Sequence, residues 1–332
     1  MLYRTFSDDD SEEGSPAEGP EYSFAGYNVE FSEKIALTPA AAAAATSKAQ
    51  SRSRAFVLEP KNDKLDEMPR AEFERIERDE DRRVARQKVI DQILDLAANS
   101  AVARYAWLDR GVAPRGYIKG MALTYARTYC KLLSGDAAAT EMAKAATPDA
   151  GTDALAHYAR EFAKANMSNA ADGADTLRHL WVLLVGLGMR ESSGRYCEGR
   201  DLGAGNTSGE AAEAGLFQTS FNARAGSPLM EKLFRQYQSH PLTPGYVEVF
   251  REGVACSAAN LKNWGAGDGQ EYQRIAKAAP AFAAEFTAVG LRNIRTHWGP
   301  INTKTAEINS DCDALLTQVQ NLVDQSGFCQ LL

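Results

Sequence analysis

The stretch Leu177-Arg178-His179-Leu180-Trp181-Val182-Leu183-Leu184-Val185-Gly186-Leu187-Gly188-Met189-Arg190-Glu191 decides how this chain folds. Leu177, Leu180, Trp181, Leu184 and Leu187 recur at helical spacing, and Val182, Leu183 and Val185 fill the other faces, so the pattern predicts a helix buried nearly all round. Its uncharged run from Leu180 to Met189 is far shorter than the ~20 residues that cross a bilayer, and Arg178 and Arg190 flank it. It therefore reads as a core helix, with Glu191 at its C-terminal edge. Desolvation and the negative end of the helix dipole both disfavour a carboxylate there. Such a glutamic acid can hold a proton near neutral pH and act as a general acid.

Two further segments give that residue a setting. Glu191-Ser192-Ser193-Gly194 is followed by Glu213-Ala214-Gly215-Leu216-Phe217-Gln218-Thr219-Ser220, a glycine-containing turn whose Gln218 can face Glu191 across a cleft. Then comes Asn263-Trp264-Gly265-Ala266-Gly267, ahead of Tyr272. The order and spacing of these segments resemble the lysozyme-like lytic transglycosylases and goose-type lysozymes. That family has a catalytic Glu followed by Ser at the end of a buried helix, then a Gly-Leu-Met-Gln turn, then a Tyr-Asn-Ala-Gly segment. Glu191-Ser192 matches the first element, and Gly215-Leu216-Phe217-Gln218 matches the second with Phe217 in the methionine place. The third has the right order and composition but different letters. The resemblance covers roughly residues 170–300.

The resemblance implies a predominantly α chain, with a lysozyme-like catalytic domain of little sheet preceded by N-terminal helices. It implies cleavage of the β-1,4 bond between N-acetylmuramic acid and N-acetylglucosamine in peptidoglycan, with Glu191 protonating the leaving oxygen. Either an anhydro ring then closes or a second carboxylate holds an attacking water. The usual place for that carboxylate, two residues after the glutamine, is here Ser220, which carries no charge. Glu210 and Glu213 are the candidates for the role, with Glu198 and Asp201 in the same loop. The resemblance assigns Ser192, Gln218, Ser220 and Asn263 to substrate binding, and Trp264, Tyr196 and Tyr272 suit stacking on sugar faces.

The rest of the chain sets bounds on partners. Its 332 residues, 44% hydrophobic, suffice for a sizeable core. The formal charge of −7 is unevenly placed: residues 1–33 hold nine acidic side chains against Arg4 alone, a net of −8, which leaves the remainder at +1. With no basic excess to neutralise phosphates, nucleic acid is not an expected partner. His157, His179, His240 and His297 show no paired ligand spacing and no Gly-rich phosphate loop is present, so no metal or cofactor is expected. The five cysteines include no Cys-x-x-Cys pair; Cys197 with Cys256, or Cys312 with Cys329, are pairings open to an exported protein, and Cys130 reads as a buried thiol.

Three regions are expected: an acidic, linker-like tail over 1–60, a helical region over 61–165, and the peptidoglycan-cleaving part over 166–332. Helices are predicted over 69–99, with an apolar stripe of Phe73, Ile76, Val84, Val89, Ile90, Ile93 and Leu96, and over 116–133, 137–146, 152–165, 227–239, 246–256, 270–289 and 304–324. Residues 295–300 read as a loop. The opening residues show no apolar core behind a basic start. This predicts a chain made in the bacterial cytoplasm without a cleavable leader, acting in the periplasm or wall after specialised export. An antibacterial effector carried by a contractile secretion machine, and met by an immunity protein that plugs the cleft, is the expected setting. A phage-type endolysin, or a lysozyme-shaped binder without chemistry, is the alternative.

Overall fold

In the computed structural model the apolar stretch is helical from Ala174 to Ser192, the third of the seven longer helices among the described residues. The structure describes residues 70–332 apart from 204, 241–242 and 295–298, so the acidic tail of 1–60 lies outside the described residues, as does His297. The longer helices are α1 (Arg70–Asn99), α2 (Arg115–Leu133), α3 (Ala174–Ser192), α4 (Pro228–Ser239), α5 (Gly267–Ala278), α6 (Pro280–Asn293) and α7 (Ser310–Ser326). The only sheet among these residues is the hairpin of β1 (Ala106–Trp107) and β2 (Gly111–Val112), with Ala106 opposite Val112. The chain is thus predominantly α. No described helix is long and apolar enough to cross a membrane.

Helix α3 is the axis of the core. From Thr176 to Met189 every residue except Arg178 is buried, so no face is left for solvent. α2, α6 and α7 pack around it, and α4 and α5 pack on α6. Two of its contacts need the absence of a side chain. A Cβ on Gly186 would fall on the Glu307 carbonyl, and one on Gly188 would fall on the Tyr117 hydroxyl. That hydroxyl donates to the Val185 carbonyl at 2.8 Å, tying α2 to α3. Met68 to Leu332 form one compact unit, so the helices ahead of α3 pack on the same body as those after it.

Several elements differ from the sequence reading. The helix expected over 270–289 is two, because Pro280 lacks an N–H and its ring excludes a continuing turn; it opens α6 at the first position. The one expected over 246–256 is a single turn, Val247–Phe250, and that over 152–165 splits into Ala154–His157 and Ala159–Lys164. α7 begins at Ser310, where Asn309 accepts from the backbone N–H of Asp311 and Cys312. In α1, Val89 and Ile93 are buried, whereas Ile76 and Val84 are exposed: only the second half of the predicted stripe meets α2 and α7.

The cysteine pairing is also corrected. Cys197 joins Cys256, but Cys130 is not a thiol: it joins Cys329, and Cys312 is the buried free thiol. The terminal turn Phe328–Leu331 packs against α2, which carries Cys130, while Cys312 is drawn into the core beneath Tyr117.

Candidate functional site

Helix α3 ends where Ser193 takes a left-handed conformation (φ 54°) and Gly194 donates back to the Gly188 carbonyl at 3.1 Å. This stop places Glu191 on the final turn at the floor of a cleft of about 650 Å³. The cleft has four walls. One is the loop of 195–202, and a second is the turn carrying Glu213 and Gln218. The third is the short helix Ala258–Leu261, through Ala259 and Asn260, and the fourth is formed by Arg110 with Gly299 and Pro300. The last two belong to the predicted 295–300 loop, whose residues 295–298 lie outside the described set.

The turn opposite Glu191 is held by local geometry. Ala214 donates to the Thr219 carbonyl at 3.0 Å, closing a narrow bridge. Gly215 (φ 77°) and Gln218 (φ 47°) supply the left-handed corners within it. Gln218 uses one side-chain N–H on the Gly215 carbonyl at 3.0 Å. Thr219 and Tyr272 share a 2.5 Å hydrogen bond that anchors the turn to α5. Ser192 fastens it to α3: its buried hydroxyl lies 2.8 Å from the Leu216 carbonyl and 3.0 Å from that of Gly188. The residue after the acid therefore spends its proton on holding the two motifs together.

The electrostatics follow from this placement. Burial, and then the Glu213 carboxylate, push Glu191 up to about 7, against the pull of Arg110 and Arg190. Arg110 is delivered by the tip of the β1–β2 hairpin, where it donates to the Arg190 carbonyl at 2.7 Å. Glu307 seats that hairpin, accepting from the Tyr105 hydroxyl at 2.9 Å and the Leu108 N–H at 2.8 Å. Glu213 is also raised, first by burial and then by Asp201, with Arg200 opposing. Glu191 is thus near its midpoint at neutral pH, so that a large share of it keeps the proton, and it has an acidic neighbour in the same cleft.

The remaining expected site residues are distributed as follows. Ser220 lines a smaller hollow of about 210 Å³ that shares Glu213 and Gln218 with the main cleft, and its hydroxyl donates to Asn222. Glu210 turns away to Arg224 at 2.6 Å. Tyr272 is fully buried in the core, and Tyr196 is buried against Arg251, so neither presents a ring to the cleft. Asn263 is half-buried beside Trp264, whose ring lies beneath the Arg200 guanidinium and the Lys262 ammonium. Among the described residues no group of three or more His, Cys, Asp or Glu is placed to hold a metal ion.

Other cleft residues carry no signal in the sequence. Arg195 meets Glu198 at 3.3 Å and Asn260 at 3.0 Å, and Asn260 donates to Glu198 at 3.1 Å. Lys277 reaches the Asn260 and Lys262 carbonyls at 3.0 and 2.9 Å, and Cys256, joined to Cys197, lies just ahead of the same wall. Only the Ser257-x-x-Asn260 spacing, which forms a capping box, is readable beforehand. No protein family, no curated protein and no solved structure matches this chain.

Proposed function

We propose that this chain is a lysozyme-like peptidoglycan glycosidase that cleaves the β-1,4 bond between N-acetylmuramic acid and N-acetylglucosamine. Glu191 is the general acid. The observation that carries the reading is this carboxyl, half-buried at the end of an all-buried helix, holding its proton up to about pH 7 in a cleft of about 650 Å³. It protonates the leaving oxygen while positive charge builds on the sugar ring. Glu213, on the facing turn, is the second carboxylate: once ionised it orients water toward the opposite face of the ring, and the products carry reducing ends. Gln218 binds sugar between the two.

Two disulfides support action in an oxidising compartment, the periplasm or wall, with specialised export as the route and an inhibitor protein at the cleft as the partner. Purified peptidoglycan is incubated with the wild type and with Glu191→Gln, and released muropeptides are read by mass spectrometry. The wild type releases fragments with reducing ends, and Glu191→Gln lowers the rate about 10²–10⁴-fold with the fold retained. Anhydro ends would overturn the role of Glu213 as water holder, and no release from the wild type would overturn the enzymatic reading, leaving a binder of the same shape.

A further inference from the structure

Trp264 has the residue type of a sugar platform but not the surroundings of one. Its backbone is clamped at both ends by Gln273, which accepts from the Trp264 N–H at 2.8 Å and donates to its carbonyl at 3.0 Å. The next residue, Gly265, has a φ of 73° and packs so closely on Gly209 that no Cβ would fit there. The backbone that carries the ring is thereby fixed, and two cations lie over the ring, the Arg200 guanidinium 4.4 Å and the Lys262 ammonium 4.1 Å from its centroid. Of these two, only Arg200 lines the cleft, on the 195–202 wall with Asp201, and Glu213 lines the same cleft from the neighbouring turn.

We infer that Trp264 is a positioning residue: it is the shelf that holds the Arg200 guanidinium in the cleft it shares with Glu213, so that the cation set against Glu213 is a stacked one, whereas Glu191 has Arg110 from the hairpin. The charged groups around Glu213 are few. The 195–202 loop brings Arg200 and Asp201, with Arg195 and Glu198 turned to each other; α3 brings Glu191; the hairpin brings Arg110, bonded to the Arg190 carbonyl; the Glu213 loop itself has Glu210 paired with Arg224. Among the described residues Arg200 is the cation set against Glu213, and it also donates to the Asp201 carbonyl at 2.8 Å. A stacked guanidinium loses little further freedom when it offers its charge, because the ring has already fixed its plane. Without the shelf, Glu213 keeps its burial and its acidic neighbours and loses its cation, so it ionises at higher pH.

The inference rests on the glycosidase reading for its consequence, but not for its test. The titration of the Glu213 side-chain carboxyl is followed by carbon NMR in the resting full chain, in wild type, Trp264→Leu, Trp264→Tyr and Lys262→Ala. Trp264→Leu moves the Glu213 midpoint upward by at least ~0.5 pH unit, Trp264→Tyr restores most of the wild-type value, and Lys262→Ala leaves it in place. With peptidoglycan as substrate, the acid limb of kcat/KM moves upward with it and the alkaline limb, set by Glu191, stays. A Glu213 midpoint unmoved in a folded Trp264→Leu protein overturns the inference; a raised KM with an unchanged midpoint makes Trp264 a sugar platform instead. If the midpoint moves but no preparation releases muropeptides, the shelf stands and the glycosidase reading falls.

Discussion

Glu191 serves two opposed ends, because the burial that keeps it protonated is burial of a group that unfolding would let ionise. Its carboxyl is raised from an ordinary 4.5 to about 7 in the folded chain. Below pH 4.5 both states hold the proton and nothing is lost. Between pH 4.5 and 7 the unfolded chain ionises first, so stability drains away, and well above 7 the loss is complete at roughly 3 kcal/mol. Glu191→Gln therefore melts higher than wild type at pH 8 and level with it at pH 4, as differential scanning calorimetry will show. The same coupling gives a second expectation. In Glu213→Gln the negative neighbour is gone, Glu191 holds its proton less tightly, and the alkaline limb of the residual activity moves below pH 7; a limb that stays would separate the two carboxyls. The gathering of Glu191, Ser192, Glu213 and Gln218 was legible because adjacent letters and one tight turn bring them together. Arg110, Arg195 and Asn260 were not, since they arrive from a hairpin and a capped turn whose positions depend on tertiary packing.

At the scale of elements, α3 works because a helix buried on every face can be stopped abruptly with a charged residue on its last turn. Its packing depends on missing atoms as much as on apolar ones. Gly188→Ala places a methyl group against the Tyr117 hydroxyl, which is held between α2 and the α3 backbone and cannot retreat. The expected loss is about 1–3 kcal/mol, a fall of ~2–9 °C in the melting midpoint by circular dichroism; Tyr117→Phe combined with Gly188→Ala recovers part of it. Ser192→Ala tests the other join. Removing the hydroxyl leaves the Leu216 carbonyl unpaired and frees the turn that carries Gln218 and Glu213, so kcat/KM falls about 10-fold while the alkaline limb keeps its position. Such elements were readable to different degrees. α2 and α3 follow from local composition and periodicity, and α4 from its Ser227 cap and Pro228 start as well. The break at Pro280 follows from the chemistry of proline, whereas the shortening of 246–256 to one turn comes from its packing onto α2, where Phe250 leaves no room for a Cβ at Gly120.

Across the whole molecule, the two disulfides divide the work between the cleft and a part of the body outside it. Cys197–Cys256 joins the loop of 195–202 to the wall of 257–260, the same walls linked by Arg195, Glu198 and Asn260, and closes 59 residues. Cys130–Cys329 spans 199 residues and pins the terminal turn to α2, among Arg127, Lys131 and Leu133, none of which lines the cleft. Loop-closure entropy alone gives the first up to about 4 kcal/mol and the second up to about 5. Stability and function should then respond differently. Cys130→Ser with Cys329→Ser lowers the urea midpoint and leaves KM and kcat unchanged. Cys197→Ser with Cys256→Ser lowers the midpoint by a similar or smaller amount but raises KM several-fold, because the wall that carries Asn260 is then held only by polar contacts. Lys277 supplies two of those contacts and is itself lowered to about 8 by burial. Its ammonium donates both hydrogen bonds with charge assistance, which the neutral amine lacks, so in the Cys197→Ser, Cys256→Ser variant the wall loosens further as pH rises through 8, and KM should climb over that range while the wild type shows no such rise. Equal KM values for the two double variants at pH 7 and 9 would show that the cleft wall does not depend on the Cys197–Cys256 bond.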